Sequence, residues 1–112
     1  MISTKFRIVG KRWEIRLLSK KKYRKKNGDG SVAITLMHKR RIEVSPKGFD
    51  LETILHELVH AYLSELCIWS ANLEDDNIEE VFAELLAKRG RELLDLGDKL
   101  LLELQKGKID AQ

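Results

Sequence analysis

Three residues in one short run have the types and the spacing to hold a metal ion and activate water. They are His56, Glu57 and His60, in "TILHELVHAYLSEL", residues 53–66. On an α-helix, residues four apart are offset by only about 40° and one turn of rise. Two imidazoles so placed can reach one ion at roughly 2.0–2.1 Å each. Glu57 lies one step from His56, beside the ion, where a carboxylate can accept a proton from a bound water. The spacing encodes two ligands and one base. The competing interpretation is a core helix with satisfied histidines, but burying two His and a Glu on an apolar face requires a partner for each.

Two histidines do not complete a catalytic zinc site, which takes three protein ligands and a water. Cys67 returns to the same side of the helix about 10 Å further on, too far to join. His38 sits among Lys39, Arg40 and Arg41, whose charge repels a dication. Downstream, "NIEEVFAELLA" offers carboxylates. Glu80 and Glu84 share a helical face with Ala83 and Ala87, small residues that would let this helix approach the first closely. Glu80 is then the third metal ligand, and Glu84 accepts the second ring N–H of one ligand histidine. Glu79, on a stripe with Phe82 and Leu86, is the alternative third ligand. All three carboxylates also suit a helix N-terminus on dipole grounds alone. An N/N/O donor set suits one zinc ion.

These residues need elements to position them. Residues 4–18 alternate as a β-hairpin about "VGK". Residues 19–31, "SKKKYRKKNGDGS", read as a loop, with six of the seven residues 20–26 basic. Residues 32–45 read as two further strands, turned by "HKRR". Asp50 is the expected N-cap of a helix over 51–69, in which Leu51, Leu55, Leu58, Val59, Tyr62, Leu63 and Leu66 recur at helical spacing. Asn77 is the expected cap of a second helix from Ile78. Gly90 interrupts the pattern, leaving one kinked helix or two over 78–105, then a frayed tail. The expected fold is α+β: a small, mostly antiparallel sheet of three or four strands packed on an active-site helix and a C-terminal glutamate helix, in one domain over 1–112.

Composition narrows the class. The 112 residues carry a net charge of +3. Residues 1–50 hold 15 Lys and Arg against 4 Asp and Glu, and residues 51–112 hold 6 against 14. The halves can attract each other, or the basic half can face an anionic partner. The basic run with Tyr23 fits nucleic acid by phosphate pairing and stacking; a solvated loop is the plainer interpretation. No stretch of about twenty apolar residues exists, and residues 1–18 have no uninterrupted apolar core of a signal peptide. The expectation is a soluble, cytoplasmic protein without membrane contact, monomeric or weakly self-associating through its Leu-rich C-terminal segment. Lone Cys67 forms no internal disulfide.

"HELVH" followed by Glu80 in "EVFAE" resembles the gluzincin clan of zinc metallopeptidases, which carries HExxH on one helix and a glutamate on a following one. His56 and His60 match the clan's histidine ligands, Glu57 its base, Glu80 its third ligand and Glu84 its supporting acid. The size is similar to the stand-alone minigluzincins, and the order of motifs is similar to small phage- and prophage-encoded predicted metallopeptidases. The leading strand and "TILHELVHAYL" also resemble SprT-like domains, whose third ligand is a downstream histidine; none follows His60 here. The resemblance implies peptide hydrolysis, with residues 33–37 or 42–45 pairing with an extended substrate. The clan's oxyanion stabiliser, a downstream Tyr, His or Arg, has no clear match. Arg89, Arg91, Tyr23 and Tyr62 are what the chain offers, and the clan's downstream subdomain is nearly absent. A second function, from another class, is a non-catalytic zinc-stabilised module that binds protein or nucleic acid through residues 20–26.

Overall fold

The computed structural model describes residues 1–66 and 75–110, with the backbone alone for 75–78. Cys67, the end of the expected helix over 67–69 and the acid-rich connection through 74 lie outside the described residues.

Strand β1 (Ile2–Ile8) and strand β2 (Lys11–Leu17) form the expected hairpin, with Phe6 opposite Trp13. Its turn residues Val9 and Gly10 both have positive φ, 50° and 77°, the turn form whose twist matches that of the flanking strands. Then come α1 (Lys20–Asn27), β3 (Ala33–Leu36), β4 (Arg41–Val44), α2 (Leu51–Glu65) and α3 (Asp75–Asp110), with single 3₁₀ turns at Met37–Lys39 and Pro46–Gly48. The strand order is β1-β2-β4-β3. Two pairings are antiparallel and β2 runs parallel to β4. Among the described residues the architecture is α+β, a four-stranded mixed sheet with three α-helices. None of the described helices is long and apolar enough to cross a membrane.

The inner face of the sheet follows from strand alternation. Phe6, Ile8, Trp13, Ile15, Leu17, Ile42 and Val44 are buried there, against Ile54, Leu58, Ala61 and Tyr62 of α2 and Leu93, Leu100 and Leu104 of α3. Helices α2 and α3 pack closely at Gly97. A Cβ added there would stand 2.7 Å from Leu55 Cδ2, so a side chain at 97 would make Leu55 shift. The small residues expected to allow this approach do not: Ala83 and Ala87 are exposed. With about 100° of turn per residue, they fall to the side of the Leu93–Leu100–Leu104 line and roughly opposite buried Leu85. Nor does the helix start at Asn77 or break at Gly90. It runs from Asp75 to Asp110, because one interior glycine costs only about 1 kcal/mol and the leucine face downstream holds the helix to the core.

The largest departure is α1, where a loop was expected. Ser19 caps it by accepting from the Lys22 amide at 3.2 Å, and Lys and Arg are good helix formers. Its basic last turn suits the helix C-terminus. Tyr23 is 3% exposed and its hydroxyl is 2.8 Å from Ser31 Oγ. The main attachment is Glu43. Its neighbours Ile42 and Val44 face the core, so Glu43 points to the opposite face, where it is fully buried. It accepts from Lys26 Nζ at 2.7 Å and Asn27 Nδ2 at 3.2 Å.

Burial alone would raise the Glu43 pKa. The Lys26 and Asn27 hydrogen bonds, with the charges of Lys26 and Arg41, reverse this and hold it below the ordinary carboxyl value. A lowered folded pKa means stability that is present above the unfolded carboxyl range and lost as pH falls through the folded value. Glu43→Gln is expected to cost roughly 1–3 kcal/mol in urea unfolding at neutral pH, with the difference from wild type shrinking as pH falls below about 4. A difference constant with pH would show that the ion pair contributes nothing.

Candidate metal centre

Helix α2 begins where expected: Asp50 Oδ1 accepts the Thr53 amide at 2.7 Å. A helix buries one face, and here Ile54, Leu58, Ala61 and Tyr62 form it. At about 100° per residue, His56 and His60 fall on the opposite side and Glu57 on the flank between. His56 is exposed and His60 half-buried, while Glu57 is 7% exposed. The burial cost raised against the core-helix interpretation therefore falls on the glutamate alone.

His56 Nε2 and His60 Nε2 stand 3.3 Å apart, with ring centroids at 5.0 Å and planes at 72°. Two nitrogens at roughly 2.0–2.1 Å from one tetrahedral ion would be about 3.3 Å from each other. The pair fits a shared ion in chemistry and in separation. Glu57 Oε1 accepts from Thr35 Oγ1 at 2.8 Å, and the Glu57 main-chain oxygen lies 3.2 Å from the same hydroxyl. Thr35 thus holds the carboxylate against β3. Nothing in the sequence singled it out, since a Thr in a short β-branched strand does not reveal its partner. A cleft of about 300 Å³ adjoins the pair, lined by Ala33, Ile34, Thr35, Met37, His56, Glu57 and His60.

Strand β3 is an edge of the sheet. Val32 O accepts the Ser45 amide at 2.9 Å, so Val32, Ile34 and Leu36 direct their main-chain groups toward β4. By antiparallel alternation, Ala33 and Thr35 direct theirs outward, along the histidine cleft. Strand β4 is paired on both sides and cannot accept an added strand, which removes residues 42–45 from the candidates.

The proposed third donor is not gathered. Among the described residues, no three His, Cys, Asp or Glu side chains group to hold a metal. Glu79 and Glu80 are exposed. Glu80 and Glu84 line a separate groove with Leu66, Val81, Leu85 and Arg89, and Glu84 pairs with Lys88 at 3.0 Å rather than with a histidine. The premise that favoured Glu80 over Glu79, a close-packed alanine stripe, is not met. His38 is exposed in its turn and lines no part of the cleft. Neither tyrosine reaches it. Tyr62 is fully buried, and among the described residues its hydroxyl makes no well-formed hydrogen bond. Burial, then the negative charge of Glu92, push its pKa up to about 12. Arg89 pairs with Glu92 at 3.2 Å.

Thr35→Val should leave the Glu57 carboxylate short of a partner and cost about 1–2 kcal/mol in chemical denaturation, with Thr35→Ser close to wild type. Equal loss in both variants would mean that packing, and not the hydroxyl, is what matters. The chain matches no known protein family, no curated protein and no solved structure.

Proposed function

We propose that the chain is a zinc-dependent metallopeptidase of gluzincin type. The observation that carries this reading is the convergence of the His56 and His60 Nε2 atoms at 3.3 Å, beside a buried carboxylate and a free strand edge. A bound zinc ion would supply Lewis acidity and lower the pKa of its water. His56 and His60 would hold it. Glu57 takes the proton of the attacking water on Oε2, the oxygen that Thr35 leaves open, and returns it to the departing amine. Ala33 and Thr35 bind the substrate main chain as an added strand. Glu80, by its spacing from "HELVH" and the resemblance that spacing carries, is the proposed third ligand, with Glu79 as the alternative and Glu84 in support.

A non-catalytic binding module using the basic residues 20–26 is the second reading, favoured by their clustering on α1. Salt-sensitive nucleic-acid binding that survives His56→Ala would support it.

Glu57→Gln should keep its metal and lose peptide hydrolysis by at least about a hundredfold; full activity in that variant would remove Glu57 as the base. Metal content measured after gel filtration should fall in His56→Ala, His60→Ala and Glu80→Ala and persist in Glu79→Ala. Loss in Glu79→Ala alone would exchange the two glutamates, and retention in both would overturn each assignment.

A further inference from the structure

The histidine cleft continues past the end of β3. Ala33, His56 and Glu57 also line a second hollow of about 320 Å³ that reaches Ser31 and Val32. Those two residues in turn line a third, of about 140 Å³, bounded by Lys20, Arg24 and Lys47. The three hollows share walls in succession, with the histidines in the first, the start of β3 in the second and α1 with Lys47 and Asp29 in the third, and we take them as one groove.

Charge is distributed unevenly along it. Glu52 lines the middle, and cations collect at the α1 end. Arg24 is paired with Asp29 and Lys26 with Glu43. Among the described residues Lys20, Lys21, Lys22, Lys25 and Lys47 make no ion pair. Like charges four apart on a helix, as Lys20 with Arg24 and Lys21 with Lys25, repel each other. An anion bound there would relieve that repulsion. A nucleic acid held without sequence preference uses aromatic platforms as well as cations, but the aromatic of α1, Tyr23, is 3% exposed and engaged with Ser31. A peptide meets both features of the groove, because its main chain can pair with Ala33 and Thr35 while acidic side chains reach the cations.

We propose that the groove binds an extended acidic peptide segment, its main chain on the β3 edge and its Asp or Glu side chains on Lys20 and Lys47. This rests on the peptidase reading and deepens it. Thr35 lies against Glu57, and Ser31 is four residues back along the chain, two before β3 begins. At about 3.3 Å per residue, the acidic positions fall about four residues from the cleaved bond, on one side of it only.

The test uses peptides of about twelve residues, uncharged except for a run of Glu at one end, with Gln and Lys versions as controls. Binding is read by fluorescence anisotropy in the Glu57→Gln chain, where cleavage cannot intervene. The Glu peptide should bind roughly tenfold tighter than the Gln peptide, an advantage that shrinks with salt. Lys20→Glu with Lys47→Glu, both exposed positions, should abolish that advantage and leave the Gln peptide unaffected. Equal binding of the Glu and Gln peptides, or a preference that survives the double reversal, overturns the proposal. So does an oligothymidine of equal charge that binds more tightly than the Glu peptide. Cleavage by the zinc-loaded wild type separates the two readings. Cleavage of all peptides at equal rates would remove the acidic subsite and keep the peptidase. Selective binding of the Glu peptide with no cleavage of any would remove the peptidase and keep the acidic-peptide surface.

Discussion

A helix packed on a sheet can bury only one face, and that constraint on α2 governs the rest of the structure. Ile54, Leu58, Ala61 and Tyr62 occupy the buried face. The 3.6-residue period then turns His56 and His60 away from the core and leaves Glu57 at the boundary. The three polar residues of "HELVH" thus sit in different environments although they are neighbours in sequence. The histidines can exchange with solvent or a ligand. The glutamate is desolvated and tied by one hydrogen bond to Thr35. The proposed base needs a fixed carboxylate and the proposed ligands need accessible nitrogens, and one helical rotation provides both.

Strand order determines what the site faces. Because β4 lies between β2 and β3, β3 is left at an edge, next to α2. The same four-residue strand then positions Glu57 through the Thr35 side chain and turns the main-chain groups of Ala33 and Thr35 away from β4. Exposed strand edges invite unwanted pairing. Here the edge is short, half-buried, and flanked by the charged ends of α1 and α2, which limits what can pair with it.

Glu43 carries out a comparable task on the other face. A carboxylate buried within a strand would be costly alone, and Lys26 and Asn27 offset that cost by reaching it from α1. The anchor also organises charge. With Lys26 consumed by Glu43 and Tyr23 turned inward, the other cations of α1 are presented outward, beside the end of β3.

Much of this was legible in the sequence because it depends on local periodicity. The hairpin, the four strands, the Asp50 cap, the helix bearing His56, Glu57 and His60, and the pairing of the two imidazoles all follow from spacings of two, three and four. What the sequence could not determine depends on partners far along the chain. Residues 20–27 read as a loop because the run is basic and leads into the turn residues "NGDG", and Glu43, sixteen or more residues away, supplies the attachment. Thr35 acquires its role only where β3 meets α2. The alanines at 83 and 87 looked like a contact stripe, yet the leucines at 93, 100 and 104 fix the rotation of α3, and the close approach falls at Gly97. The sequence by itself determined that two imidazoles and a carboxylate share one helix with the imidazoles paired, because helical geometry is local. Only the tertiary structure decided which strand, which cations and which face of α3 surround them, because those follow from how competing apolar faces share one core.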